Sequence, residues 1–263
     1  MYTTDGFVLR SKPFGENDRL ITLLTPKEGR ITAVAKGGRS LKSGSLPATQ
    51  LFSYGNYEIN HRGDYKWIRG ASVLRQFPNL TSDIAKVALA SYLASVADEL
   101  SGENEEGEEI LRLMLNSCYA LDTGMRPDAQ IKASFELRAA AVSGFMPDLS
   151  ACRGCHRESA DVMYLDVMNG RILCDDCMRR AALLSAREKA VSEDIREAEI
   201  FLPLSPSVTA AIRFVLNAGE GRFLAFSLDA GELEGFCRAA ETYLLSHLGH
   251  GFDTLEFYRS VKD

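Results

Sequence analysis

Cys152-Arg-Gly-Cys155, followed by Val162-Met-Tyr-Leu-Asp-Val-Met-Asn-Gly-Arg-Ile-Leu-Cys-Asp-Asp-Cys177, decides how the second half of this chain folds. Two Cys-x-x-Cys pairs are separated by residues 156–173, eighteen positions. Each pair can offer both sulfurs from one tight knuckle, and four thiolates fill the tetrahedral shell of Zn²⁺. The stretch between them predicts a hairpin. Val162–Met168 and Arg171–Leu173 flank Asn169-Gly170, the dipeptide favoured in type I′ turns. Such a turn brings the second knuckle back to the first. Disulfides and a redox dithiol are the competing readings, but a redox pair needs one Cys-x-x-Cys, not two matched around a hairpin. Four protein ligands leave no open position for water or substrate, so the expected zinc is structural. His156 is a competing ligand, and Arg157 and Arg171 are candidates to offset the negative charge of the thiolates.

The chain around this element has 263 residues, enough for two domains plus the cysteine element. Its apolar share of 46% and charged share of 25% are those of a soluble globular protein. No apolar run reaches the roughly 20 residues of a membrane span. Met1-Tyr-Thr-Thr-Asp-Gly6 lacks the pattern of a signal peptide, so a cytoplasmic protein with thiolates on metal is expected. Cys118 and Cys237 stand alone in helical apolar patterns and read as core. The formal charge of −6 hides an asymmetry. Residues 1–80 carry 12 Lys+Arg against 6 Asp+Glu, and residues 81–263 carry 18 against 30. A basic N-terminal third on an acidic body suits contact with a polyanion.

Residues 1–77 read as β. Gly6–Leu9, Arg19–Thr25, Arg30–Ala35, Leu51–Asn60 and Lys66–Phe77 are the predicted strands, with turns at Pro26–Gly29 and Gly63-Asp64. Five short strands with glycine turns and no helix-length pattern predict a small barrel or sandwich, and an OB-fold fits the size. From Pro78 the period changes. Thr81 is the expected N-cap of a helix over Asp83–Leu100. The acidic run Glu103–Glu109 reads as the solvated start of a second helix, and Pro127 starts a third that stops at Gly144. After the cysteines, Met178–Leu184, a less regular stretch to Ile200, Pro206–Leu216 and Glu232–Leu248 continue the helical pattern.

Phosphate-loop, dinucleotide and nucleophile-elbow motifs are absent, and His61, His156, His247 and His250 sit in no acid–base motif. A cation-rich segment is present instead: Arg30, Lys36, Arg39 and Lys42, with Gly37-Gly38 between them and no acidic residue. Such a loop lets cations and backbone amides approach a phosphate chain. Lys12, Arg69 and Arg75 extend it, and Phe14, Tyr57, Tyr65 and Trp67 are the aromatic candidates for stacking on unpaired bases.

Gly15-Glu-Asn-Asp-Arg-Leu-Ile-Thr-Leu-Leu-Thr-Pro-Lys-Glu-Gly-Arg-Ile-Thr-Ala-Val-Ala-Lys-Gly-Gly-Arg39, together with the four cysteines after Gly144-Phe-Met-Pro147, resembles the bacterial RecO family of recombination mediators. The resemblance extends over the whole chain and is specific in these two regions. It implies an α+β multidomain protein: an N-terminal OB-fold β-barrel over 1–79, and a C-terminal α-helical domain over 80–149 and 179–263 with an embedded four-cysteine zinc element over 150–178. It implies binding of single- and double-stranded DNA, annealing of complementary strands, and work with RecR and single-stranded-DNA-binding protein so that RecA can load. RecA is then an indirect partner and no membrane is involved. The family's basic OB surface maps onto Arg30, Lys36, Arg39 and Lys42, and its zinc site onto Cys152, Cys155, Cys174 and Cys177. No covalent catalysis is implied, and a bacterial cytoplasmic protein that joins the nucleoid on DNA is expected. Arg126, Lys132 and Arg138 are candidates to receive the acidic tail of single-stranded-DNA-binding protein. The competing functions are a metal-dependent nuclease or nucleotidyltransferase, and a zinc-ribbon protein-interaction module.

Overall fold

The computed structural model describes residues 1–38, 44–63, 65–189, 200–219 and 221–262. They form two compact units, one of residues 1–128 with 252–263, the other of residues 129–251.

The first unit is built on a closed five-stranded barrel in the order β1-β2-β3-β5-β4, the OB-fold. Its strands are β1 (Tyr2–Phe14), β2 (Asp18–Thr25), β3 (Gly29–Ala35), β4 (Tyr54–Arg62) and β5 (Tyr65–Arg75). β1 serves two ladders. Tyr2–Phe7 pair with β4, Phe7–Phe14 pair with β2, and the register slips between Val8 and Arg10 where the strand bends. Sequence periodicity marks only Gly6–Leu9 because those four residues alone in the strand are buried. The barrel closes where β3 runs parallel to β5, from Ala33↔Lys66 to Ala35↔Ile68. Val8, Ile21, Leu23, Ile31, Ala33, Tyr57, Ile59 and Ile68 fill the interior.

Three helices, α1 (Pro78–Thr81), α2 (Ile84–Leu100) and α3 (Glu108–Thr123), join the barrel in this unit, with a C-terminal helix over Asp253–Val261. The cap of α2 is Asp83, whose Oδ1 accepts from Ala85 N at 2.9 Å and Lys86 N at 3.2 Å. Thr81, the expected cap, instead ends the short α1 turn that Pro78 starts. α2 is buried around most of its girth, from Ala88 to Ala97. The C-terminal helix packs on it: Phe252 meets Tyr92 edge-on at 5.7 Å, and Thr254 Oγ1 donates to Ser95 Oγ at 3.2 Å. The acidic run before α3 is not simply solvated. Its backbone is laced to the β2–β3 turn by Arg30 N to Gly102 O, Asn104 N to Glu28 O and Gly107 N to Pro26 O, each at 3.0 Å. Gly29, at φ 58°, must be glycine here, since a Cβ would lie 2.4 Å from Gly102 O.

The second unit is helical around a four-stranded sheet in the order β6-β8-β7-β9. It contains most of α4 (Asp128–Val142), then β6 (Asp148–Cys152), β7 (Met163–Asp166), β8 (Arg171–Cys174), α5 (Asp175–Lys189), β9 (Phe201–Leu204), α6 (Pro206–Asn217) and α7 (Ala230–Leu248). The predicted hairpin is present, from Met163↔Cys174 to Asp166↔Arg171. Its loop has four residues, 167–170, not the two of a type I′ turn. Asp166 carboxylate oxygens accept from Asn169 N at 3.3 Å and Nδ2 at 2.8 Å, and Gly170 alone of the pair has positive φ. β9 adds an antiparallel partner to β7, a strand that the sequence reading does not anticipate. Residues 190–199, in the irregular stretch before it, lie outside the described residues.

α4 is buried on most sides and carries Lys132 and Glu136 into the interior. Lys132 Nζ lies 2.6 Å from Glu136 Oε1 and 2.7 Å from Glu241 Oε2 on α7. Burial opposes the charge on Lys132, but the two carboxylates outweigh it and hold its pKa above the ordinary lysine value.

Candidate metal centre and nucleic-acid interface

The four cysteines converge. Cys152 ends β6, Cys155 closes the first knuckle, Cys174 ends β8 and Cys177 lies in the first turn of α5. Their Sγ atoms all lie within 4.8 Å of one another. Cys155 and Cys174 sulfurs are 3.6 Å apart, far beyond a disulfide bond. A tetrahedron of Zn–S bonds of about 2.3 Å has edges of about 3.8 Å, so the donor set fits such an ion. Cys152, Cys174 and Cys177 are buried and Cys155 is exposed.

The local sequence explains the approach. Gly154 stands where a Cβ would fall 2.8 Å from Cys177 Sγ, so the knuckle needs glycine to admit the fourth sulfur. His156 takes the left-handed turn position at φ 60° and its amide donates to Cys152 O at 2.8 Å. Its ring is not gathered with the sulfurs among the described residues. Cys174 N donates to Cys152 Sγ at 3.2 Å. Burial raises the Cys152 pKa, but the amides of Cys174, Cys155 and Gly154 more than offset it and hold this thiol down to about 6. Cys177 is pushed up to about 12, by desolvation first and then by the three neighbouring thiols.

The cation beside the sulfurs is Arg180, which donates from Nη2 to Cys177 Sγ at 2.9 Å. Arg157 and Arg171, the candidates from sequence, lie elsewhere. Arg157 pairs with Asp176 at 3.5 Å, and Arg171 is exposed on β8. The signal that finds Arg180 is its place one helical turn after Cys177, which follows once α5 starts at Asp175. The element is tied into its unit by Arg213 of α6, which donates to Leu149 O at 2.7 Å, Ser150 O at 3.1 Å and Glu158 O at 2.7 Å.

The basic N-terminal residues are dispersed. Arg30 donates from Nη1 to Asp98 O at 3.2 Å and stands 3.6 Å from both the Asp98 and Glu103 carboxylates. Arg10 reaches the same Asp98 at 2.6 Å. Lys36 is exposed just past the end of β3. Arg39 and Lys42 lie outside the described residues. Lys12 and Arg69 are exposed, and Arg75 covers the Tyr119 ring at 5.0 Å. Of the aromatic candidates, Tyr57 is core and donates its hydroxyl to Ala48 O at 2.6 Å. Trp67 is half-buried, whereas Phe14 and Tyr65 are exposed. In the second unit, Lys132 and Arg138 do not form a free basic spot. Lys132 is buried in its carboxylate pair, and Arg138 Nη1 donates to Val215 O, Leu216 O and Ala218 O at 3.0–3.4 Å.

The family model described as "Recombination protein O N terminal" matches residues 1–77, and "Recombination protein O C terminal" matches residues 81–256. The chain belongs to the RecO family. It is 25% identical to the DNA repair protein RecO of Acetivibrio thermocellus over 98% of this chain and 96% of that protein. It is 29% identical to that of Thermoanaerobacter sp. (strain X514) over 99% and 98%. It is 34% identical to that of Anaeromyxobacter sp. (strain K) over 65% and 68%. The RecO family is one of DNA repair proteins, and the four gathered cysteines of this chain could hold a metal ion. No helix among the described residues is long and apolar enough to cross a membrane.

Proposed function

We propose that this RecO-family protein is a recombination mediator. It binds single- and double-stranded DNA, anneals complementary strands and, with RecR and single-stranded-DNA-binding protein, helps RecA load. The observation that carries this reading is an OB barrel bearing exposed cations in a chain matched over residues 1–77 and 81–256 by a DNA-repair family. OB-folds bind oligonucleotides on the face of their second and third strands and through the β1–β2 and β4–β5 loops. Lys36, Arg39 and Lys42 are the cations we assign to phosphate, with Arg30 contributing only as far as DNA competes with Asp98 and Glu103. Annealing needs no covalent step: cations reduce repulsion between two phosphate chains and hold both at high local concentration. The protein is therefore read as a non-enzyme.

The functional division we favour is DNA binding in 1–79, partner docking in 80–149 and 179–263, and a structural Zn²⁺ in 150–178. That ion is held by Cys152, Cys155, Cys174 and Cys177, supported by the closeness of the four sulfurs. The setting is the bacterial cytoplasm, on the nucleoid when bound to DNA.

Annealing of complementary oligonucleotides across a salt series, without nucleotide or added metal, tests the reading. Wild type is compared with Lys36→Glu/Arg39→Glu/Lys42→Glu. Annealing that falls with salt and with charge reversal is expected. Absence of annealing and of DNA binding at low salt overturns it, and strand cleavage with Mg²⁺ assigns a nuclease instead.

A further inference from the structure

Phe14 and Tyr65 are large apolar side chains left in solvent, 38% and 55% exposed, on a barrel that buries its other large aromatic rings more fully. They are not isolated. Phe14 ends β1 and Tyr65 begins β5, and their ring centroids lie 6.5 Å apart. Each ring sits beside a tight turn, with Gly15 at φ 59° and Gly63 at φ 60°. The turns between β1 and β2 and between β4 and β5 therefore present the two rings together at one end of the barrel.

Cations lie at the same end. Phe14 pairs in register with Asp18, and Asp18 Oδ1 accepts from Gly37 N at 2.8 Å. That bond pins the turn after β3, where Lys36 is exposed, next to the strand end that carries Phe14. Lys12, two positions before Phe14, is also exposed. Asp18 turns its carboxylate to the turn and Glu16 lies on the β1–β2 connection, while Asp64, the residue before Tyr65, lies outside the described residues.

We infer that Phe14 and Tyr65 form a stacking site for unpaired nucleobases, so that the barrel distinguishes single strands from duplex. The inference rests on the DNA-binding reading above and specifies its ligand. Inside a duplex the faces of each base are covered by the stacked pairs above and below, so exposed rings gain little from it. An unpaired base has two free faces, and stacking on aromatic side chains is sequence-tolerant. The ring planes meet at 48°, not as the parallel pair that would sandwich a base. Each ring offers its outer face, so two bases of one strand are engaged while Lys12 and Lys36 meet the phosphates.

Fluorescence anisotropy with a labelled dT oligonucleotide and a duplex of equal length, at two salt concentrations, tests this. Phe14→Ala/Tyr65→Ala is expected to lose on the order of tenfold or more for dT, with the salt slope and the duplex affinity unchanged. Phe14→Tyr/Tyr65→Phe is expected to retain dT affinity. Equal losses for dT and duplex, or no loss for either, overturn the stacking site while leaving DNA binding in place. Failure of the wild type to bind either probe overturns the underlying reading instead. Photo-crosslinking of the wild type to 5-iodouracil in the same strand gives an answer independent of variant folding. Crosslinks at Phe14 or Tyr65 are expected, and crosslinks confined to other residues overturn the inference.

Discussion

Arg30 and Lys36 look alike in the sequence, two cations on one basic stretch, yet their surroundings differ. Arg30 is held by the Asp98 carbonyl and by two carboxylates, one of them nearly buried, while Lys36 stands in solvent. Arg30→Ala should therefore lower stability by about 1–2 kcal/mol, since it removes a charged hydrogen bond that is partly screened. Lys36→Ala should leave the urea midpoint in place and weaken DNA binding. Denaturant melts and anisotropy on the two variants check the pair; equal midpoints would refute the distinction. The sequence groups the two residues because charge type is visible in it and partner choice is not. The cysteines are legible for the opposite reason. A candidate ligand is marked by its identity and spacing, so all four can be singled out before any contact is known. Gly154 and Arg180 cannot, because their roles depend on where Cys177 arrives.

Helix α4 shows what periodicity hides. Its Lys132 reads as a surface cation by type, a candidate for an acidic peptide. In the fold it already has two carboxylates, Glu136 one turn on and Glu241 from α7. Lys132→Met should cost about 3–5 kcal/mol, because it leaves two carboxylates together with Glu136 fully buried. Chemical denaturation measures this, and a loss under 1 kcal/mol would contradict it. The sign of the pH effect follows from the raised Lys132 pKa. Its contribution is complete below the ordinary lysine value and fades as pH rises through the higher folded value. Strand and helix types are legible where burial alternates along the element. β9 and the ends of β1 are not, because few of their residues are buried.

Along the sequence the chain reads as barrel, helices and cysteine element in order. Contacts group it differently, with α1–α3 and the C-terminal helix in the barrel's unit and the cysteine sheet in the other. Order along the chain cannot reveal that grouping, since the segment Phe252–Val261 carries no signal naming α2 as its partner. The grouping has a measurable consequence. Chelating the proposed metal removes the cross-link among β6, β8 and α5, in a unit compact without the barrel. Hydrogen exchange with and without a zinc chelator should show faster exchange in Asp148–Cys177 and little change in β1–β5. Uniform acceleration across both units would show that the ion supports the whole chain.

The return of residues 252–263 to the first unit makes residues 129–251 an insertion within it. On the ribosome, α2 must wait for that entire insertion to be synthesised before Phe252 and Leu255 arrive to cover it. At about 5–20 residues per second the delay lasts on the order of ten seconds, which exposes the Tyr92 face of α2 to chaperones long after the barrel strands have emerged.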